Sequence, residues 1–170
     1  QMKKHPGSRA EQFERISTKI FQDSKAAATV VAEAIADLIK SRSKDGKTTV
    51  LGLATGSTPL PVYRELIRMH REENLSFRKV ITFNLDEYYG LNTDHPESYY
   101  QFMWQRLFSH VDIPEDQVHL PSGTTERSKV YANCAEYEQA IEEAGGLDYQ
   151  ILGIGRTGHI GFNEPGSTRD

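Results

Sequence analysis

The sequence has few of the features that mark a disulfide scaffold, a membrane protein or a nucleic-acid-binding domain. Its single cysteine, Cys134, excludes an intrachain disulfide framework, and the helical pattern around it predicts a small residue that faces the core. No apolar run approaches the roughly 20 residues that span a bilayer. The 20 Lys and Arg are outnumbered by 24 Asp and Glu, which leaves no basic surface for nucleic acid. We therefore expect a soluble, cytoplasmic protein that binds neither nucleic acid nor membrane.

Both ends of the chain are polar. Residues 1–14 lack the apolar segment of a signal peptide, and the last five residues predict neither helix nor strand. Because the chain starts at Gln1 rather than Met and stops in a loop at Asp170, we expect residues 1–170 to be a single domain that is truncated at its C-terminus. A hydrophobic content of 37% is enough for a buried core.

Helical patterns alternate with short apolar runs rich in β-branched residues. This alternation predicts an α/β protein with an open, mainly parallel sheet and helices on both faces. In such sheets, the loops that leave the carboxyl ends of the strands meet at the ligand crevice. The predicted helices are 23–43, 59–69, 99–108 and 129–144, and the predicted strands are 48–54, 80–85 and 149–154.

The first loop of interest is Thr55, Gly56, Ser57 and Thr58, between a strand and a helix that opens at Pro59. Small residues, hydroxyl groups and free amides at a helix N-terminus suit a phosphate, because the helix dipole is positive there. An ordinary capped turn would use the same residue types, so both interpretations stay open. A P-loop is excluded, since no Gly-Lys-Ser/Thr follows.

The second loop places two carboxylates, Asp86 and Glu87, directly after an apolar strand. Partial burial at such a position raises a carboxyl pKa and produces a useful general base. We expect one of the two to face the crevice. The alternative is a pair of solvated loop acids.

The third loop superficially matches a dinucleotide-binding fingerprint, because residues 153–158 read Gly-Ile-Gly-Arg-Thr-Gly after a strand. We reject this interpretation, since the fingerprint must open a full helix and Pro165 follows too soon. The loop instead offers an imidazole, His159, and a carboxylate, Glu164, which together form a candidate proton shuttle. A structural histidine is the alternative. A metal site would need a third ligand such as Asp86, and we expect none.

Four ordered motifs resemble those of glucosamine-6-phosphate deaminases. They are Leu-Gly-Leu-Ala-Thr-Gly-Ser-Thr-Pro at 51–59, Thr-Phe-Asn-Leu-Asp-Glu-Tyr at 82–88, His-Pro-Glu-Ser-Tyr-Tyr at 95–100 and Gly-His-Ile-Gly-Phe-Asn-Glu-Pro at 158–165. The 6-phosphogluconolactonases are similar in fold and in the Gly-His element but usually lack Phe-Asn-Glu-Pro. A lactonase-like sugar-phosphate hydrolase and a non-catalytic sugar-phosphate sensor are therefore the alternatives to a deaminase.

The resemblance implies a Rossmann-like domain that converts glucosamine 6-phosphate into fructose 6-phosphate and ammonia without a metal or an organic cofactor. It implies that residues 55–58 help to hold the sugar phosphate, and we assign Glu87 to the same substrate-binding set. Further basic phosphate ligands are expected beyond Asp170. We expect a small-molecule sugar phosphate as the binding partner and a homo-oligomeric assembly.

The resemblance also implies the catalytic roles. Asp86 would be the base that moves the C2 proton to C1 through an enediol-type intermediate. His159, supported by Glu164, would first open the pyranose ring. Thr157 stands where the best-known members of the family have Asp, two residues before the histidine, so it contributes a hydroxyl without a charge to the ring-opening group.

Overall fold

The computed structural model describes residues 17–168 and has a four-stranded sheet at its centre. The strands are β1 (Thr49–Leu53), β2 (Val80–Asn84), β3 (Val118–His119) and β4 (Tyr149–Gln150). Their order is β3-β2-β1-β4, and every neighbouring pair is parallel. The main helices are α1 (Ser24–Lys44), α2 (Leu60–Glu73), α3 (Tyr99–Arg106) and α4 (Val130–Glu143). The predicted α/β class with a parallel sheet is confirmed.

Helices cover both faces of this sheet, as predicted. The core on one face joins α1, α2 and α3 to strand residues such as Leu51 and Leu53. On the other face, the ring of Tyr137 in α4 meets the ring of Phe83 edge-on at 5.6 Å. The Tyr137 hydroxyl donates a hydrogen bond to the backbone oxygen of Asn84 at 2.8 Å and lies 3.2 Å from that of His119. One side chain of α4 therefore ties together the carboxyl ends of β2 and β3.

Helix α1 begins where the sequence predicts. The Asp23 side chain accepts a hydrogen bond from the backbone N–H of Ala26 at 2.8 Å, which satisfies one of the free amides of the first turn. The buried face of the helix consists largely of small side chains at helical spacing, which allow a close approach of α2. Its buried residues are Ala28, Ala32, Ile35, Ala36 and Ile39.

Four elements differ from the prediction. Helix α2 ends at Glu73 rather than at 69, because its last turn is polar and lacks the apolar spacing that indicated the helix. Strand β3 was not predicted, because a two-residue strand has no measurable periodicity. Strand β4 is shorter than the predicted 149–154: after Gln150 only the Ile151 N–H continues the ladder, bonding to the Gly52 oxygen at 2.9 Å. Helix α3 ends at Arg106 instead of 108, because Leu107 takes φ −144° and the chain continues as a short 3₁₀-helix.

The prediction for Cys134 was wrong, since its thiol is exposed rather than directed into the core. None of the residues of α4 is fully buried. The contact of α4 with the sheet is made instead by larger side chains such as Tyr137. Among residues 17–168, no helix combines the length and the apolar content that a membrane crossing requires.

Tyr63 links α2 to the carboxyl end of β1 through a fully buried hydroxyl. This hydroxyl accepts a hydrogen bond from the backbone N–H of Ala54 at 3.2 Å and donates one to the Ala54 oxygen. We expect Tyr63→Phe to lower the free energy of unfolding by about 1–3 kcal/mol, because two buried backbone groups lose their partner. Chemical denaturation measures the change. Tyr131→Phe is the matched control, since Tyr131 is 90% exposed and its hydroxyl should contribute nothing. Equal stability of both variants would contradict the prediction.

Candidate active site

The loops after β1, β2 and β4 meet in one cleft at the carboxyl edge of the sheet. The three loops that were predicted to converge therefore do so. The volume of the cleft, about 390 Å³, lies within the range of small-molecule sites. It is lined by residues 54–58, Leu85, Asp86, Tyr88, Tyr99, residues 153–155, His159, Gly161, Phe162 and Glu164.

The N-terminus of α2 forms one wall of the cleft. Thr55, Gly56, Ser57 and Thr58 all line it, and Pro59 at the helix start makes no side-chain cap hydrogen bond. The positive end of the helix dipole is therefore open to a ligand. This geometry suits an anion such as a phosphate group.

Asp86 lies at the end of β2 and is partly buried in the cleft. Burial raises the pKa of its carboxyl group, and the negative charge of the neighbouring Glu87 raises it further. Gly161 allows the third loop to pass close to this carboxylate. Its φ is +60°, and a Cβ there would lie 3.2 Å from Leu85 Cδ2 and 3.5 Å from Asp86 Oδ2. The backbone of the third loop therefore packs directly over the candidate base.

His159, Glu164 and Thr157 form a closed triangle of hydrogen bonds. His159 Nδ1 lies 2.8 Å from Glu164 Oε1 and 2.8 Å from Thr157 Oγ1. The Thr157 hydroxyl donates to Glu164 Oε2 at 2.7 Å. Because its one proton is used there, Thr157 can only accept from the imidazole, which assigns a proton to Nδ1. The remaining ring nitrogen, Nε2, is therefore the one that can exchange a proton with a ligand.

The imidazole of His159 packs against Gly155. A Cβ at position 155 would lie 2.0 Å from Cε1 and 2.1 Å from Nε2 of the ring, so only glycine leaves room for it. The Gly155 N–H also donates to the His159 oxygen at 2.9 Å. In the part of the chain that is described, β4 is followed by turns and an isolated bridge rather than by a helix. The loop therefore does not open the helix that a dinucleotide fingerprint requires.

Glu87 does not line the cleft, unlike its neighbour Asp86. Its carboxylate accepts hydrogen bonds from three backbone N–H groups: that of Tyr88 at 2.8 Å, that of Tyr99 at 2.9 Å and that of Tyr100 at 3.0 Å. The placement of Glu87 in the substrate-binding set is corrected accordingly. The side chain caps the N-terminus of α3.

The sequence interpretation missed an aromatic cluster in the cleft. The ring of Tyr88 lies 4.7 Å from that of Tyr99 and 5.5 Å from that of Phe162, and the rings of Tyr99 and Phe162 stack at 6.1 Å. Burial raises the pKa of Tyr99, as does a hydrogen bond with Tyr88, whereas one with Thr55 lowers it. All three rings belong to the motifs quoted above, so attention to aromatic residues beside the carboxylates could have found them.

Within residues 17–168, no three potential metal ligands lie close enough together to hold an ion. The expectation that the site works without a metal stays a prediction.

Comparison with known proteins shows the family of this chain. The sequence profile of the glucosamine-6-phosphate isomerases/6-phosphogluconolactonases matches residues 22–162. A glucosamine-6-phosphate deaminase from Thermoanaerobacter sp. (strain X514) is 53% identical over 130 residues, which are 76% of this chain and 51% of that protein. One from Geobacillus sp. (strain WCH70) is 52% identical over 138 residues, or 81% and 54%. The chain thus spans about half the length of the curated relatives it matches.

Solved structures show the same fold. A monomeric glucosamine-6-phosphate deaminase superimposes with a TM-score of 0.80 at 45% identity, covering 87% of this chain and 59% of that one. The 6-phosphogluconolactonase from Thermotoga maritima gives a TM-score of 0.69 at 28% identity, covering 85% and 62%. The chain therefore belongs to the glucosamine-6-phosphate isomerase/6-phosphogluconolactonase family.

Proposed function

We propose that this chain carries the active site of a glucosamine-6-phosphate deaminase, which converts its substrate and water into fructose 6-phosphate and ammonia. The observation that carries the proposal is that Asp86, His159 and Glu164 line one cleft beside the open N-terminus of α2, with Thr157 hydrogen-bonded to both His159 and Glu164. Relatives that are about 50% identical to this chain are named glucosamine-6-phosphate deaminase, and this similarity supports the proposal.

Ring opening is the first proposed step. The pyranose opens when a proton leaves the C1 hydroxyl and another reaches the ring oxygen, and one imidazole can serve both in turn. With a proton fixed on Nδ1, His159 would do this through Nε2. Glu164 holds the imidazole in place and stabilises the cation that forms when both nitrogens are protonated.

Isomerisation and deamination follow at Asp86. The carboxylate removes the C2 proton of the open-chain aldehyde and O1 takes up a proton from water, which leaves an enol at C1 and the amino group on C2. Return of the first proton from Asp86 to C1 gives an iminium group at C2. Attack by water then releases ammonia and one proton and leaves the ketone. A partly buried base with a raised pKa suits removal of a weakly acidic carbon-bound proton.

The phosphate would bind at residues 55–58. Among the described residues that line the cleft there is no lysine or arginine, so the α2 N-terminus is the described element that would neutralise the phosphate charge. Basic ligands from beyond Asp170 stay a prediction. We also propose a cytoplasmic protein whose partner is a small sugar phosphate rather than nucleic acid. Homo-oligomerisation stays a prediction, and the structural relative described above is monomeric.

A turnover assay on the complete protein tests the proposed function. With glucosamine 6-phosphate we expect ammonia and fructose 6-phosphate in equal amounts, measured by coupled dehydrogenase assays. Hydrolysis of 6-phosphogluconolactone without ammonia release would identify a lactonase instead. Binding of glucosamine 6-phosphate without turnover of either substrate would identify a sensor.

A further inference from the structure

The carboxylate of Glu87 joins two segments that are separate in sequence. It accepts one N–H from its own loop, at Tyr88, and two from the first turn of α3, at Tyr99 and Tyr100. Within residues 17–168 it forms no ion pair with a basic side chain. Three backbone N–H groups and the positive end of α3 are therefore what stabilise its charge.

Two side chains, those of Glu87 and Ser98, accept hydrogen bonds from the free backbone amides in the first turn of α3. Glu87 takes the first two, and the Ser98 hydroxyl accepts from the Gln101 N–H at 3.1 Å. The Phe102 N–H bonds to the Ser98 oxygen at 3.1 Å. Loss of either cap weakens the same helix end, but only loss of Glu87 also releases the loop that carries Asp86.

Two tyrosines of the cleft depend on this cap. Tyr88 and Tyr99 both donate their backbone N–H to Glu87, and their rings lie 4.7 Å apart. Tyr99 also makes a hydrogen bond with Thr55 of the anion-binding loop. A shift of α3 relative to the loop after β2 would therefore change the walls of the cleft on both sides of Asp86.

We propose that Glu87 is a positioning residue, which clamps the Asp86 loop onto the start of α3 and so aligns Asp86 and Tyr99 in the cleft. Its catalytic consequence, alignment of the base for the C2 proton, rests on the proposed function. The clamp itself rests only on the three hydrogen bonds of Glu87. Misplacement of a catalytic group by about 1 Å can reduce a rate by about 100-fold, so a clamp of this kind matters for turnover.

The negative charge of Glu87 provides a readout that helix stability does not affect. It adds to burial in raising the pKa of Asp86. A base must be deprotonated to act, so the acid limb of the rate profile follows this pKa. Removal of the Glu87 charge should move the limb to lower pH. The other titratable groups around Asp86 are Tyr88, Tyr99, Tyr137, His159 and Glu164, none of which the substitution replaces.

The test compares Glu87→Gln with Ser98→Ala in the complete protein, using glucosamine 6-phosphate. For Glu87→Gln we expect kcat to fall about 10-fold or more with KM changed less than about threefold, and the acid limb to move to lower pH. Ser98→Ala should lower Tm while kcat and the pH profile stay at wild-type values. An unmoved acid limb in Glu87→Gln, or an equal loss of kcat in Ser98→Ala, would overturn the inference.

Glu87→Asp separates position from charge, and it keeps the test decisive if Glu87→Gln does not fold. The shorter side chain retains the charge but cannot reach both helix amides. We therefore expect a reduced kcat with an acid limb close to that of the wild type. Wild-type kcat in Glu87→Asp would count against the clamp.

Amide hydrogen exchange tests the clamp without turnover. Glu87→Ala, which removes both acceptor oxygens, should lose protection jointly at the N–H groups of Tyr88, Tyr99 and Tyr100, whereas Ser98→Ala should lose it at Gln101 alone. If the wild-type protein releases no ammonia while the Glu87→Ala variant shows this joint loss, the proposed function is refuted and the clamp is not. Retained protection at Tyr99 and Tyr100 in Glu87→Ala would refute the clamp, whatever the activity of the enzyme.

Discussion

Asp86→Asn is expected to fold and to bind the sugar phosphate while losing about 10²–10⁴-fold or more in turnover, because the amide cannot remove the C2 proton. Asparagine keeps the size of the side chain, so the cleft should retain its shape. The structure predicts no loss of stability. Burial and Glu87 raise the folded-state pKa of Asp86, so its charged form is disfavoured by folding and an uncharged amide removes that cost.

Two measurements separate removal of the C2 proton from the rest of the reaction. Ammonia release reports the whole reaction, and exchange of the C2 hydrogen with deuterated solvent reports proton removal alone. Both should be lost together in Asp86→Asn. Asp112→Asn is the matched control: this carboxylate accepts hydrogen bonds from Ser76 and from the Phe77 N–H and does not line the cleft. It should lower Tm without affecting exchange. Near-normal ammonia release by folded Asp86→Asn would refute the role of Asp86 as the base.

Glu164→Gln is expected to reduce turnover of the cyclic substrate by about 10²–10³-fold. The substitution removes the charge that lies 2.8 Å from His159 Nδ1 and stabilises the doubly protonated imidazole formed during ring opening. Isomerisation at Asp86 should be unaffected, because Glu164 has no part in that step. An open-chain substrate analogue, the amino-alditol phosphate reduced at C1, should therefore bind to the variant as it binds to the wild type.

Two substitutions of Thr157 are graded controls for the prediction on Glu164. Thr157→Ser keeps the hydroxyl between Glu164 and His159 and should retain nearly full activity. Thr157→Val removes the two hydrogen bonds of the hydroxyl but leaves the direct contact of His159 with Glu164, so its loss should be smaller than that of Glu164→Gln. Steady-state rates with the cyclic substrate rank the three variants. A loss in Thr157→Val as large as in Glu164→Gln would show that the hydroxyl is itself an essential part of the relay.

Local signals account for the parts of the site that could be predicted from sequence. The Asp23 cap, the apolar runs of β1 and β2 and the small residues at 55–58 each lie within one element. The parallel connection of these elements then requires their loops to meet at one edge of the sheet. Asp86 and His159 were therefore predicted to lie in the same crevice, although they are 73 positions apart in the sequence.

Glu87 and Cys134 show where that reasoning stops. Adjacent loop residues can point in unrelated directions, so the order Asp86-Glu87 does not say which carboxylate enters the cleft. The amides at the start of α3 attract Glu87, and they come from a segment that no local pattern connects to β2. The prediction for Cys134 was wrong for a similar reason, because the burial of its thiol depends on how closely α4 approaches the sheet.

The sequence by itself determined the alternation of strands and helices, the three loops that carry polar side chains and the residue types available for acid-base chemistry. Only the tertiary structure decided which of those side chains interact. It joined Thr157, His159 and Glu164 into one hydrogen-bonded group and set the His159 ring on Gly155. The physical reason is that helix and strand patterns arise from periodic local contacts, whereas the direction of a loop side chain depends on hydrogen bonds and close approaches that exist only after the chain has folded.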